Sequence, residues 1–214
     1  MSDKGLRKKY RELLRAPINR EMRSRLANGA PSILANNCNG GVIAHDLGLR
    51  FRTPTVNLYF PFPDYIRFLQ RLDHYLSLPP EAMESIGGGS LNEKCPCGAL
   101  EDIRMAFVHY PTFEAARDKW FERASRVDRS NLFVMLAQRD GCMEDDVRAF
   151  DELPFKHKVA FTAQPMPDCQ SAVYIPGFAD GNQVRVLSDY VSKFSGRRII
   201  DEFDIVRFLN GSSY

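Results

Sequence analysis

The sequence predicts an α/β protein, a three-layer α/β/α fold with a mainly parallel (mixed) sheet and a basic N-terminal helix. Short apolar runs alternate with longer amphipathic segments, which is typical of strands connected by helices. Several apolar runs end in polar residues and glycines, as strands do at the carboxyl edge of a parallel sheet. A chain of 214 residues fits one domain. We therefore predict a basic helical segment over residues 1–28 and a single α/β domain over residues 29–214.

The N-terminal segment has nine Lys and Arg residues against three acidic ones. Four apolar side chains share one helical face: Leu6, Tyr10, Leu13 and Leu14. Pro17 is expected to break or restart the helix. A helix packed on its own domain is the favoured interpretation, and a helix resting on anionic lipid is the second. Nucleic acid is not an expected partner, because the rest of the chain lacks basic clusters with interleaved aromatic residues.

Strands and helices are expected to alternate from residue 32 onward. The predicted strands span residues 32–35, 55–60, 103–108, 132–137, 158–162 and 172–175. The predicted helices span residues 41–47, 64–76, 113–126, 144–152, 184–194 and 201–209. Thr112 is a good N-cap for the third of these helices. The segment 77–99 is rich in proline and glycine, which predicts a long connection.

Polar residues follow four of the predicted strands. Right-handed connections would bring these strand ends to one edge of the sheet, where ligands usually bind. The first strand end is the most informative, because three Asn residues, one Cys and two Gly residues lead directly into a helix. Such a helix start favours an anion or an oxyanion. The four ends are Asn36 to Asn39, His109-Tyr110, Arg139 to Cys142 and Thr162 to Gln164.

These residues suggest nucleophilic chemistry. Cys38 is placed like a nucleophile, His109 is the favoured general base, and Asp140 could orient the histidine. His45 is the local alternative base. Each residue also has a structural alternative, such as a small core cysteine or a turn with an internal ion pair. The expected substrate-binding residues are Asn36, Asn37, Asn39, Gly40, Gly41, His45, Arg139 and Thr162.

Several protein classes are not expected. The chain has no G-x-G-x-x-G motif, no P-loop and no hexapeptide repeat. No metal site is predicted, since Cys95-Pro96-Cys97 lacks the usual two-residue spacing of zinc ligands. No apolar run reaches the ~18–20 residues of a membrane span. Five scattered cysteines without a secretory signal predict a cytoplasmic protein, with the inner membrane face as a peripheral location.

Eleven short motifs are spread in order along the chain: Ile33 to Gly41, Leu47 to Leu49, Thr53 to Thr55, Asp64 to Leu69, His109-Tyr110, Ala116 to Trp120, Asn131 to Phe133, Arg139 to Cys142, Phe150-Asp151, Leu153 to Phe155 and Lys158 to Thr162. Over roughly residues 30–180, these motifs resemble the DUF1919 family of bacterial proteins. This chain has Asn39 where that family usually has an aromatic residue after the cysteine, which argues against a stacking role there.

The resemblance implies a role in exopolysaccharide or capsule biosynthesis, and some similar proteins are described as acetyltransferases. The leading hypothesis is therefore transfer of an acyl (acetyl) group to a sugar hydroxyl. Acetyl-coenzyme A would be the donor substrate, a sugar or polysaccharide precursor the partner, and no cofactor would stay bound. One alternative is a non-catalytic module that binds a nucleotide-sugar or a glycan. Another is a glycosyl or phosphosugar transferase of the same pathway. The sequence does not indicate an oligomeric state.

Overall fold

The computed structural model describes residues 3–87 and 95–212 of the chain. The helices are α1 (Asp3–Arg25), α2 (Asn39–Leu47), α3 (Phe62–Gln70), α4 (Leu72–Ser77), α5 (Phe113–Ala124), α6 (Glu144–Asp151) and α7 (Ile205–Leu209). The strands are β1 (Ser32–Ala35), β2 (Glu81–Met83), β3 (Cys97–Leu100), β4 (Ile103–Ala106), β5 (Leu132–Ala137), β6 (His157–Thr162), β7 (Ala172–Tyr174), β8 (Ala179–Asp180) and β9 (Gln183–Val184). Two short 3-10 turns complete the described elements, at Arg129–Asn131 and Ile199–Glu202.

The central sheet has four parallel strands in the order β1-β5-β6-β7. Ser32 lies opposite Leu132 in the first pair of strands, and Phe133 lies opposite His157 in the second. The antiparallel strands form separate sheets, β2-β3-β4 and β8-β9. This arrangement confirms the predicted α/β class, with the antiparallel pairing placed outside the central sheet.

Helices cover both faces of the parallel sheet, because successive strand residues point to opposite sides. Leu34, Val134 and Leu136 pack on one side with aromatic residues of α3, α5 and α6. Ile33, Phe133 and Met135 pack on the other side, with α2 and the C-terminal helix. All six residues of β5 are buried, because helices cover both faces of the sheet. This burial explains why β5 is an unbroken apolar run.

The glycine pair after β1 serves close packing. An added Cβ on Gly40 would lie 3.3 Å from the side chains of Ala35 and Ile33, and one on Gly41 would lie 3.0 Å from the side chain of Val56. Neither glycine has a positive φ. Glycine is therefore favoured at both positions, because α2 lies tightly against β1 and the segment that follows.

Helix α1 differs from its prediction in two ways. It continues through Pro17 to Arg25 without a break. Its inner face carries Arg15, which is 3% exposed, together with Met22, whereas Leu13 is 72% exposed. Tyr10 and Leu13 of the expected apolar face are thus turned to solvent, whereas Leu14 is half-buried and Arg15 binds carboxylates of the domain.

Other elements also differ from prediction. Residues 55–60 form a turn with a single bridge between Tyr59 and Ala106 instead of a strand. The expected helix over residues 64–76 is divided at Arg71 into α3 and α4. Residues 184–194 contain β9 and turns, not a helix. Part of the predicted connection over residues 77–99 lies outside the described residues. Among the described helices, none is long and apolar enough to cross a membrane.

Candidate functional site

The carboxyl ends of β1 and β5 are the place where the topology of the fold predicts a ligand crevice. Helix α2 leaves β1 toward one face of the sheet, and α6 leaves β5 toward the opposite face. Neighbouring strands with diverging connections create a crevice at their carboxyl ends. Asn36 and Arg139 follow these two strands, so the sequence prediction placed candidate residues at the appropriate edge.

The polar groups at this edge mostly bind each other. The Asn36 side chain accepts from the Ala137 backbone N–H at 3.1 Å and donates to its carbonyl oxygen at 3.4 Å. The Asn37 side chain accepts from the backbone N–H of Asn39, whose own side chain is buried. The Thr162 hydroxyl donates to the Gln164 carbonyl at 2.7 Å. These amides and this hydroxyl therefore stabilise the strand ends.

Cys38 stands at the N-cap of α2, which begins two residues before its predicted start, and its surroundings do not activate a thiol. Burial raises the pKa of Cys38 from 9.0 to about 11, with a smaller contribution from Cys95. Its Sγ lies 3.8 Å from the carbonyl oxygen of Leu58. A protonated, half-buried thiol is a poor nucleophile, because the thiolate is the reactive form.

The two proposed partners of Cys38 follow two other strands, β4 and β5. His109 is exposed and follows β4, which belongs to the antiparallel sheet, so it does not end a strand of the central sheet. The Asp140 carboxylate pairs with Arg139 at 2.9 Å. Within the described residues, no hydrogen bond joins Cys38, His109 and Asp140. The predicted triad is therefore not assembled by these contacts.

Cys38 is expected to react slowly with iodoacetamide. A pKa of about 11 instead of 9.0 leaves roughly a hundredfold less thiolate at pH 8. Mass-spectrometric mapping of the native protein should show about a hundredfold slower labelling of Cys38 than of a free cysteine peptide with a pKa near 9.0. Labelling as fast as that peptide would contradict the buried thiol and restore Cys38 as a nucleophile.

A large cavity lies between α1, the end of α2 and the segment 190–198. Its volume is about 1000 Å³, at the upper end of the range for small-molecule sites. Five of its eleven lining residues are arginines. The lining residues are Arg11, Glu12, Arg15, Ala16, Asn19, Arg20, Arg23, His45, Asp46, Tyr190 and Arg198.

A buried ion network forms the floor of this cavity. Asp46 accepts from Arg15 at 3.0 Å and from Arg198 at 3.0 Å. Arg15 also pairs with Asp201, whose carboxylate accepts the backbone N–H of Arg198 at 2.7 Å. Burial alone would lower the pKa of Arg15, but Asp201 and Asp46 outweigh it and raise that pKa. The positive charges of Arg15 and Arg198 thus match the negative charges of Asp46 and Asp201, so this network has no net charge.

Three further arginines and one further carboxylate, Glu12, line the cavity, so cations exceed carboxylates there by two. Arg23 donates to the Asp46 carbonyl at 2.9 Å, so its charge has no carboxylate partner in the part of the chain that is described. Arg11 lies over the Tyr190 ring at 5.2 Å. Arg20 forms no hydrogen bond or ion pair among residues 3–87 and 95–212. A concave surface with surplus guanidinium groups favours phosphate or carboxylate.

The side chain of Asn19 is a second feature of the cavity that indicates a binding site. Its side-chain oxygen is buried and has no hydrogen-bond partner among the described residues. Asn19 also lines the cavity. A buried amide without a partner costs free energy, which a ligand hydroxyl or a water molecule could recover. The cavity therefore offers both cations and a polar amide.

His45 also belongs to this cavity. Its side chain is largely exposed, and its Nδ1 lies 3.4 Å from the Asp46 carboxylate. Two turns of α2 separate His45 from Cys38, so the two residues lie at opposite ends of this helix. In the described part of the chain, no group of three or more histidine, cysteine or carboxylate side chains could hold a metal ion.

Comparison with known proteins places this architecture in a family. The profile described as a domain of unknown function, DUF1919, matches residues 9–210. The chain belongs to the DUF1919 family. A Haemophilus influenzae protein described as uncharacterized is 39% identical over 193 residues, or 90% of each chain. The family match confirms the resemblance seen in the motifs and extends it to α1.

Sequence reasoning missed the cavity of this DUF1919 protein for an identifiable reason. The surplus of basic residues at the N-terminus was a usable signal, and four of the five cavity arginines lie there. Tyr190 had no such signal, because a helix was predicted over residues 184–194, and Arg198 lies between that helix and the next predicted one. The lining comes from segments that are distant in sequence and meet only in the folded chain.

Proposed function

We propose that this protein binds a phosphate-bearing, hydroxyl-rich small molecule, such as a sugar phosphate or a nucleotide-sugar, in the arginine-lined cavity. The observation that carries the proposal is the surplus of guanidinium groups around a cavity of about 1000 Å³. Arginine is well suited to phosphate because its planar donors match the phosphate oxygens. The Asn19 amide would meet a ligand hydroxyl. This function corresponds to the non-catalytic alternative among the sequence-based hypotheses.

The biosynthetic pathway in which the protein acts is also a proposal. Phosphorylated sugars and nucleotide-sugars are building blocks of polysaccharides, so the ligand class is compatible with exopolysaccharide or capsule biosynthesis. Acyl transfer remains an untested prediction, and the protonated Cys38 thiol gives it less support. Acetyl-coenzyme A carries phosphates, so the same cavity would be its first candidate site.

The binding proposal is tested by thermal stability against a ligand panel. The panel contains a sugar 1-phosphate, a nucleotide-sugar, acetyl-coenzyme A, inorganic phosphate and an unphosphorylated sugar. A ligand at 100 times its dissociation constant stabilises a protein by about 2.7 kcal/mol. For a chain of this size, that should raise the melting temperature by about 5 °C or more. The unphosphorylated sugar should give no shift.

Matched variants locate the binding site. Arg11→Gln and Arg20→Gln should each weaken binding about tenfold or more, because each removes a charged hydrogen bond to the ligand. Arg117→Gln is the control, since this exposed arginine lies on α5 at the opposite face of the sheet. Equal weakening by all three variants, or no shift with any phosphate compound, would refute the proposed site.

A further inference from the structure

The solvent-facing side of α1 carries large apolar side chains. Leu13 is 72% exposed and Tyr10 is 48% exposed. They are three residues apart, so they lie on one helical face. Pro17 follows on that face and is exposed. The opposite face of the same helix is the one that contacts the domain, through Arg15 and Met22.

A second exposed apolar group lies on the segment 190–198 beside α1. Phe194 is 83% exposed and Val191 is 38% exposed. The ends of this segment are bridged between Tyr190 and Arg198. Gly196 anchors the segment on α1, because its carbonyl oxygen accepts from the Arg15 guanidinium at 3.3 Å. Phe194 is thus presented from a segment held against the helix.

Positive charge surrounds these apolar side chains. Lys9 on α1 is exposed, and Lys193 is exposed next to Phe194. The first 28 residues contain nine Lys and Arg residues and three acidic ones. Basic residues that flank exposed aliphatic and aromatic side chains are typical of helices that lie in a membrane interface. Each Lys or Arg near an anionic lipid surface strengthens such binding.

We propose that the outer face of α1 and the tip of the segment 190–198 together dock on an anionic lipid bilayer. Leu13 and Phe194 would enter the boundary between headgroups and acyl chains, and the flanking cations would contact the headgroups. A second copy of this chain fits less well, since a symmetric pairing of this face would bring like charges together. This docking uses other side chains than those that would hold the ligand, so either proposal can fail alone.

The test is co-sedimentation of the full chain with vesicles. Wild-type protein should sediment with vesicles of phosphatidylglycerol and phosphatidylcholine, and poorly with phosphatidylcholine alone. Added salt should weaken the binding, because it screens the charges. The double variant Leu13→Ser/Phe194→Ser should bind at least about tenfold more weakly, because two large apolar side chains are removed. Phe121→Ser is the control, since Phe121 is 46% exposed on α5 at the opposite face.

Three results would overturn the proposal. One is wild-type protein that stays in the supernatant with anionic vesicles. Another is a double variant that binds vesicles as well as Phe121→Ser does. The third is a wild-type dimer, seen by light scattering, that the double variant converts to a monomer while vesicle binding is absent. That last result would assign the face to a second copy of the chain. An unchanged melting temperature of the double variant would exclude unfolding as the cause.

Discussion

Replacing Arg15 with methionine is expected to lower the free energy of unfolding by about 3–5 kcal/mol. Arg15 is 3% exposed and binds both Asp46 and Asp201. Its removal would leave the buried Asp46 carboxylate with Arg198 as its remaining arginine partner. Methionine keeps much of the side-chain volume, so the lower free energy of unfolding would result mainly from the missing positive charge. Urea unfolding followed by circular dichroism measures the difference.

The matched control is Arg25→Met on the same helix. Arg25 pairs with Glu21 and Asp204, but its side chain is 44% exposed. Exposed ion pairs contribute about 0–1 kcal/mol, so this variant should remain close to wild type. If both variants lose the same free energy, the buried network does not fix α1 to the domain, and the floor of the cavity is not set by these pairs.

Gly196→Ala is expected to destabilise the protein by about 1–3 kcal/mol and to reduce ligand binding. A Cβ at this position would lie 2.2 Å from the Leu14 carbonyl oxygen and 2.9 Å from the Arg15 backbone nitrogen. Backbone atoms cannot rotate away, so the segment 190–198 would have to move from α1. Tyr190 and Arg198 line the cavity from this segment and would move with it.

Gly29→Ala is the matched control for this glycine. No atom lies within 4 Å of the position that its Cβ would occupy, and its φ is not positive. Its melting temperature and its affinity for a phosphorylated ligand should match those of wild type. A Gly196→Ala protein that keeps both properties would show that close contact with α1 is not what shapes the cavity.

Local sequence signals were sufficient to predict two central strands and the N-cap of α5. The apolar runs at residues 32–35 and 132–137 are strands with the predicted bounds. Thr112 caps α5 as predicted, accepting from the Ala115 backbone N–H at 3.2 Å. These features depend on neighbours within a few residues, so periodicity and capping chemistry identify them.

The candidate site was only partly predictable. Asn36 and Arg139 do follow adjacent parallel strands, since strand polarity places their ends at one edge. His109 does not end a strand of the central sheet as the sequence predicted, because an apolar run does not reveal which sheet it joins. Residues 103–106 pair antiparallel with β3 instead. The arginine-lined cavity was not predicted, because its walls depend on contacts over long sequence distances.

The sequence by itself determined the α/β class, the membership in the family and the concentration of basic residues at the N-terminus. Only the tertiary structure decided which face of α1 is buried and where the cations gather. Arg15 and Asp201 are 186 residues apart, yet their pairing turns Leu13 outward. The physical reason is that helical periodicity fixes which residues share a face, whereas burial depends on the partner that covers it. For α1 that partner includes the carboxylates of Asp46 and Asp201.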